Sequence, residues 1–275
     1  MLLGIAMDLS PPLWLNAASP PSPELWCRAV QGAVAQREPP IKLAGWAAQV
    51  IWQRQIMTLD AIGGFIDQSA YTPTPASAFG EPMAKAVARL KQAIKKQEIV
   101  TIWGDFDADG VTATAVLWDG LGQIFNQGTT LRYYIPNRLR ESHGLSKAGL
   151  EQVRDWGTGL IVTCDTGSTN LEEVAYAQTL GMEVIITDHH TLPAVEPAAV
   201  ALINPRSFPA DHPLATLSGV AVAYKLLEGL YESLSFPPDF DLDNLLDLVA
   251  IGLIADLVNL TGDCRYLAQR GLKQL

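Results

Sequence analysis

The sequence is short of positive charge: 19 Lys and Arg stand against 29 Asp and Glu, a formal net charge of −10. A chain of that sign does not coat a polyanion by bulk electrostatics, so any nucleic acid it handles must be met at a local site. It has three cysteines, Cys27, Cys164 and Cys264, odd in number and far apart. That excludes a disulfide framework and the paired spacing of a zinc site, and predicts a reducing compartment. The longest apolar stretch, Leu245 to Leu260, is broken by Asp247 and Asp256, which argues against a membrane span. Met1 to Asp8 hold no basic residue, so no signal peptide is predicted and the expected location is the cytoplasm. Also missing are a phosphate-cradling P-loop, a Gly-x-Ser-x-Gly elbow and a nucleophilic Cys–His pattern. Only 17% of the 275 residues are charged and 48% are hydrophobic, enough for the core of one large domain or two small ones.

What the chain does have is acid in knots. Residues 104–110 read Gly-Asp-Phe-Asp-Ala-Asp-Gly, and Thr187-Asp188-His189-His190 follows much later. Each knot comes directly after a short apolar run, Ile99 to Trp103 and Met182 to Ile186, of the kind that forms a buried strand. Carboxylates on alternate residues repel one another, and a fold tolerates them best when a cation neutralises them. Asp105, Asp107, Asp109 and Gly110 match the opening of a calcium-binding EF-hand loop. That loop requires a bidentate Glu at its twelfth position, where this chain has Val116, and a helix before it, where this chain has a strand-like run.

Residues 1–23 are rich in Pro, Ser and Ala and read as an extended arm. Residues 24–66 place Trp26, Trp46, Trp52, Ile56, Leu59 and Ile62 at helical spacing, and Ser69 to Gly80 reads as a linker. A helix is predicted from Glu81 to Lys96. Strands are then predicted at 99–103, 130–135, 159–164, 183–187 and 199–203. Helices are predicted at 111–125, 146–156, 170–180, 216–234, 242–259 and 264–274. This alternation gives an α/β fold, a mostly parallel sheet with helices on both faces, preceded by a short helical N-terminal segment. The expected division is 1–80 for the arm and helical segment and 81–275 for the α/β domain. Ligands of such sheets collect at the carboxyl ends of the strands, where Asp105 to Asp109, Asp165 and Asp188 to His190 would share one rim.

Asp165, in Cys164-Asp165-Thr166-Gly167, reads first as a turn or helix cap and second as a ligand. Asp256 lies in an otherwise apolar run, where a satisfied helix-end Asp and a metal ligand are equally good readings. Carboxylates mixed with imidazole, without thiolate, favour manganese, iron, cobalt or zinc over calcium. So many candidate acids exceed the needs of one ion. A pair of ions suits phosphoryl chemistry, with an activated water as nucleophile.

Gly104 to Gly110, Asp165-Thr166-Gly167, Asp188-His189-His190 and Ala255-Asp256 resemble, in order, the motifs of the DHH phosphoesterases. Ile135-Pro136-Asn137-Arg138, Ser142-His143-Gly144-Leu145, Asn204-Pro205-Arg206 and Leu217 to Ala221 bring the resemblance nearest to the RecJ branch, which degrades single-stranded DNA from the 5′ end. The resemblance covers roughly residues 80–275. It implies a metal-dependent 5′→3′ exonuclease of DNA repair and recombination that uses a pair of divalent ions, manganese first and magnesium second. Asp105, Asp107, Asp109, Asp165, His189 and Asp256 would be ligands, with Asp188 orienting the histidines. His190, Asp107 and Asp165 would act on the reacting phosphate, and Arg138, His143 and Arg206 would contact the strand. Single-stranded DNA would be the partner, without a membrane, and a further C-terminal substrate-binding domain would be supplied in cis or in trans. A phosphodiesterase of short oligonucleotides or cyclic dinucleotides, and a non-catalytic binding module of the same fold, are the alternatives. Relatives of this branch carry Gly-Tyr-Gly where this chain has Ser142-His143-Gly144.

Overall fold

The structure, a computed structural model, describes residues 27–28, 30–32, 45–54, 56 and 59–275; the expected arm over residues 1–23, and Trp26, lie outside them. The described residues fall into two compact units that divide between Thr72 and Pro73, inside the linker-like stretch. In the first unit, helices α1 (Gly45–Gln53) and α2 (Leu59–Ile66) contribute to a small apolar cluster of Val30, Ala48, Ile51 and Ile62. No helix among the described residues is long and apolar enough to cross a membrane.

The second unit is an alternating α/β structure. Strands β1 (Ile99–Trp103), β2 (Leu131–Tyr134), β3 (Thr158–Cys164), β4 (Glu183–Thr187) and β5 (Ala201–Ile203) form one sheet in the order β2-β1-β3-β4-β5, parallel throughout. The helices are α3 (Glu81–Lys96), α4 (Ala108–Gly122), α5 (Lys147–Asp155), α6 (Leu171–Thr179), α7 (Gly219–Ser233), α8 (Leu246–Ala255) and α9 (Gly262–Gly271). Side chains alternate across a strand, so each strand supplies two cores. Val100, Ile102, Leu160, Val162 and Ile185 pack with Leu90, Leu117, Leu227 and Leu253 on one face. Trp103, Ile161, Val184 and Ile186 pack with Leu150, Val153, Val174 and Ala177 on the other. Each such Leu, Ile or Val contributes about 1.5–3 kcal/mol by leaving water. The expected fold class is the observed one.

Some boundaries move for local reasons. α4 begins at Ala108 rather than at 111, because Asp107 caps it by accepting the Gly110 N–H at 2.9 Å. Asp109 therefore sits in the first helical turn. The helix expected over 242–259 is two pieces. Asp241 caps a 3-10 turn at Leu242–Leu245, and α8 then stops at Ala255, since Leu257 adopts left-handed backbone (φ 57°). The last strand is shorter than expected, because the Ala199 N–H turns back to the Pro197 carbonyl at 2.8 Å.

From β1 the chain crosses to β2 on one side, while β3 pairs with β1 on the other. The order reverses between β1 and β3, which opens a crevice at their carboxyl ends. The first acidic knot and Asp165 follow those two strands.

Candidate metal centre

Asp105 follows β1 and is buried. Its Oδ1 accepts the Phe106 N–H at 2.6 Å and its Oδ2 lies 2.7 Å from His143 Nδ1. The His143 ring stands 4.1 Å from that of Phe106, and the Arg138 guanidinium lies 5.5 Å from the Phe106 centroid. Asp107, the cap of α4, is exposed.

Asp109 points from the first turn of α4 to the start of α7. Its Oδ1 accepts the Ser218 hydroxyl at 2.9 Å and the Val220 N–H at 3.1 Å, and its Oδ2 accepts the Gly219 N–H at 2.6 Å. The positive end of a helix is a natural seat for a carboxylate. Burial nevertheless pushes the Asp109 carboxyl upward, against the pull of His189 and of the Val220 and Ser218 bonds.

Asp165 follows β3 in left-handed backbone, φ 62°, a region Asp tolerates better than most residues. It is 1% exposed, and its buried Oδ1 accepts no hydrogen bond. Burial, then the charges of Asp109 and Asp107, push its carboxyl up to about 10. The fit against α7 depends on Gly219, where a Cβ would lie 2.4 Å from the Asp165 Cβ. Asp165 does sit in a bend after β3, as the turn reading expects, but no capping hydrogen bond reaches its buried Oδ1.

The second knot follows β4. His189 is nearly buried, with Nε2 3.1 Å from Asp165 Oδ1, 3.7 Å from Asp256 Oδ2 and 3.8 Å from Asp109 Oδ2. The Asp165 approach is close enough for an ion pair, yet no hydrogen bond joins the two, and His189 Nδ1 is also buried without a partner. Asp188 Oδ1 accepts the His189 N–H at 2.7 Å and the His190 N–H at 3.2 Å, and lies 2.7 Å from His190 Nδ1. Its Oδ2 accepts the Ser168 N–H at 2.8 Å. Burial pushes the Asp188 carboxyl up, but the bonds from His190 and Ser168 prevail and hold it at about 2. The hydrogen bond to Asp188 in turn raises the exposed His190 ring to about 9. Asp256 occupies the C-cap position of α8, half-buried.

Potential ligand atoms therefore gather in overlapping groups: Asp105, Asp107 and Asp165; Asp109, His189 and Asp256; and Asp165, His189 and His190, each within 4.8 Å. Asp165 and His189 each belong to two groups. Buried carboxylate and imidazole atoms that crowd together without bonding one another are what shared divalent cations would resolve. The oxygen-rich donor set with imidazole fits manganese. The structure thus brings Asp105, Asp107, Asp109, Asp165, Asp188, His189, His190 and Asp256 together. Arg138 and His143 stand beside Phe106, and Arg206 is turned onto the backbone of the second knot, its Nε 3.1 Å from the His189 carbonyl.

Residues that sequence reasoning gave no role complete the centre: Phe106, Ser168, Asn204 and the Ser218 to Val220 helix start. Ser218 ahead of an apolar helical run carries a cap signal. Nothing local says that the cap serves a distant aspartate.

A family model described as "DHH family, N-terminal domain" matches residues 99–253. The single-stranded-DNA-specific exonuclease RecJ of Bacillus subtilis (strain 168) is 40% identical over 193 residues, 70% of this chain and 23% of that protein. A crystal structure of exonuclease RecJ bound to manganese shares 34% identity at a TM-score of 0.62, covering 70% of this chain and 48% of the other. RecJ from Thermus thermophilus in complex with Mn2+ shares 27% at a TM-score of 0.71, covering 92% and 34%. The chain spans about a quarter to a third of the length of the curated relatives it matches. The family match runs from β1 into α8 and takes in every acid of the rim except Asp256; the chain belongs to the DHH family.

Proposed function

We propose that this chain is the catalytic part of a metal-dependent exonuclease that shortens single-stranded DNA from its 5′ end and releases 5′-mononucleotides, in DNA repair and recombination. The observation that carries the reading is Asp165. Its buried Oδ1 accepts no hydrogen bond and sits among acids and an imidazole that divalent cations would neutralise together. Asp107, Asp109, Asp165, His189 and Asp256, with Asp105 beside them, would hold a pair of divalent ions, manganese foremost and magnesium second. When bound, such ions lower the pKa of a water and draw charge from the phosphate oxygens.

The chain's own groups supply the remainder. Asp165, common to two groups, would serve both ions. Asp188 holds the His190 ring by Nδ1, so a ring raised to about 9 is cationic at neutral pH and offers Nε2 as a donor. From there it stabilises charge on the phosphate or protonates the departing 3′ oxygen. Arg138, His143 and Arg206 would hold the strand beside the acids. A net charge of −10 leaves such local contacts as the main attraction for DNA.

The test is incubation of 5′- and 3′-labelled single strands with manganese. Early loss of the 5′ label as a mononucleotide, with duplex spared, is expected. Attack from the 3′ end refutes the polarity. Cleavage of dinucleotides in preference to long strands supports the short-oligonucleotide reading instead, and no turnover by a manganese-loaded protein supports the binding module.

A further inference from the structure

The two histidines of the second knot are fixed through their backbone from both sides. Their N–H groups both donate to Asp188 Oδ1. Their carbonyls are taken by two side chains of the turn that follows β5. Asn204 Nδ2 donates to the His190 carbonyl at 2.9 Å and to Ser168 Oγ at 3.0 Å, while Arg206 Nε donates to the His189 carbonyl at 3.1 Å. The turn is itself latched: Asn204 Oδ1 accepts the Arg206 N–H at 2.8 Å, and Asn204 is 2% exposed. Ser168 closes the loop, since its N–H holds Asp188.

We propose that Arg206, seated by Asn204, is a positioning residue for the His189–His190 pair, and not only a cationic contact for the strand. Arg206 is exposed, and by using Nε on the His189 carbonyl it leaves its terminal nitrogens for a phosphate. A guanidinium carries five donors in a rigid fork and can do both at once. A lysine ammonium at that position keeps the charge and loses the bond to the backbone. The metal part of this inference rests on the reading of the centre given above.

The experiment compares Arg206→Lys, Arg206→Ala and Asn204→Ala with the parent by two measurements. Hydrogen exchange of the metal-free proteins, resolved to the segment spanning 187–191, reads the clamp directly. Calorimetric titration with manganese reads its effect on the centre. All three substitutions should speed exchange in that segment, with melting curves showing the remainder folded. Arg206→Lys should weaken manganese binding as much as Arg206→Ala does, by about 10–100-fold, the range for groups that orient metal ligands. Only Arg206→Ala should also raise KM for the strand strongly. Parent-like exchange in both Arg206→Lys and Asn204→Ala overturns the proposal, leaving Arg206 as a charge alone. If the parent takes up no manganese, the metal reading fails separately and exchange still decides the clamp.

Discussion

Replacing Asp165 by Asn keeps the shape of the side chain and suits the left-handed backbone at φ 62°, which Asn tolerates as Asp does. What it removes is charge. In the metal-free fold, burial and the charges of Asp109 and Asp107 raise the Asp165 carboxyl from 3.8 to about 10, while the unfolded chain ionises it at its ordinary value. Between those values the folded state binds more protons than the unfolded state, so stability falls as pH rises through the interval. At neutral pH the displacement corresponds to about 4 kcal/mol against the folded state, a ceiling because neighbouring acids share the burden. Asp165→Asn should therefore melt above the parent without metal, by about 5 °C near pH 8 and by less near pH 5. With excess manganese the order should reverse, because binding stabilises only the protein that binds. Differential scanning calorimetry with chelator and with manganese, across pH, makes the comparison. A metal-free variant that melts at or below the parent near pH 8 would refute the claim that Asp165 is held in place at an electrostatic cost.

His190→Ala should lower kcat by about 10²–10³ while manganese titration stays near that of the parent, since His190 is tied to Asp188 rather than committed to an ion; an equal loss of bound metal would make it a ligand. The ring's folded value of about 9 lies above its unfolded one, so its bond to Asp188 stabilises fully below about pH 6.5 and fades as pH rises through 9. A stability decline over that interval should survive in Asp165→Asn, where His190 alone causes it, and persist in reduced form in His190→Ala, where Asp165 alone does. Gly219→Ala would place a methyl carbon 2.4 Å from the Asp165 Cβ and 2.5 Å from its Oδ1. Urea unfolding should show a loss of about 1–3 kcal/mol, the usual cost of overpacking, and manganese titration a weakened site; parent-like values in both would mean that α7 can retreat freely.

The strands are legible because their apolar, β-branched runs stop where the rim begins; Ile99–Trp103 and Glu183–Thr187 have the bounds that the sequence predicts. α3 was equally plain, with Met83, Val87, Leu90 and Ala93 on its buried side. The start of α4 was harder, because Asp107 serves as cap and cluster member at once and its capping bond leaves no mark on periodicity. At the centre, the acids declared themselves by unusual local density. Their supports did not. Ser218, Gly219 and Val220 meet Asp109 across more than a hundred residues, and Arg206 meets a carbonyl, a partner every residue offers. Contacts to backbone, and glycines that matter for what they omit, carry no chemical label in a sequence.

The start of α7 is filled from within. Elsewhere the exposed N–H groups of such a helix end receive a phosphate; here they close on the side chain of Asp109, leaving a newcomer no such seat. An arriving polyanion would face several carboxylates against few cations, His190 among them. Assembly at this rim would consequently have a direction: the acids would be neutralised first, and only then would the crevice change from a surface that repels a strand to one that draws it in. Productive engagement would therefore depend on prior cation occupancy, and a chelated protein should ignore DNA, not merely fail to cut it.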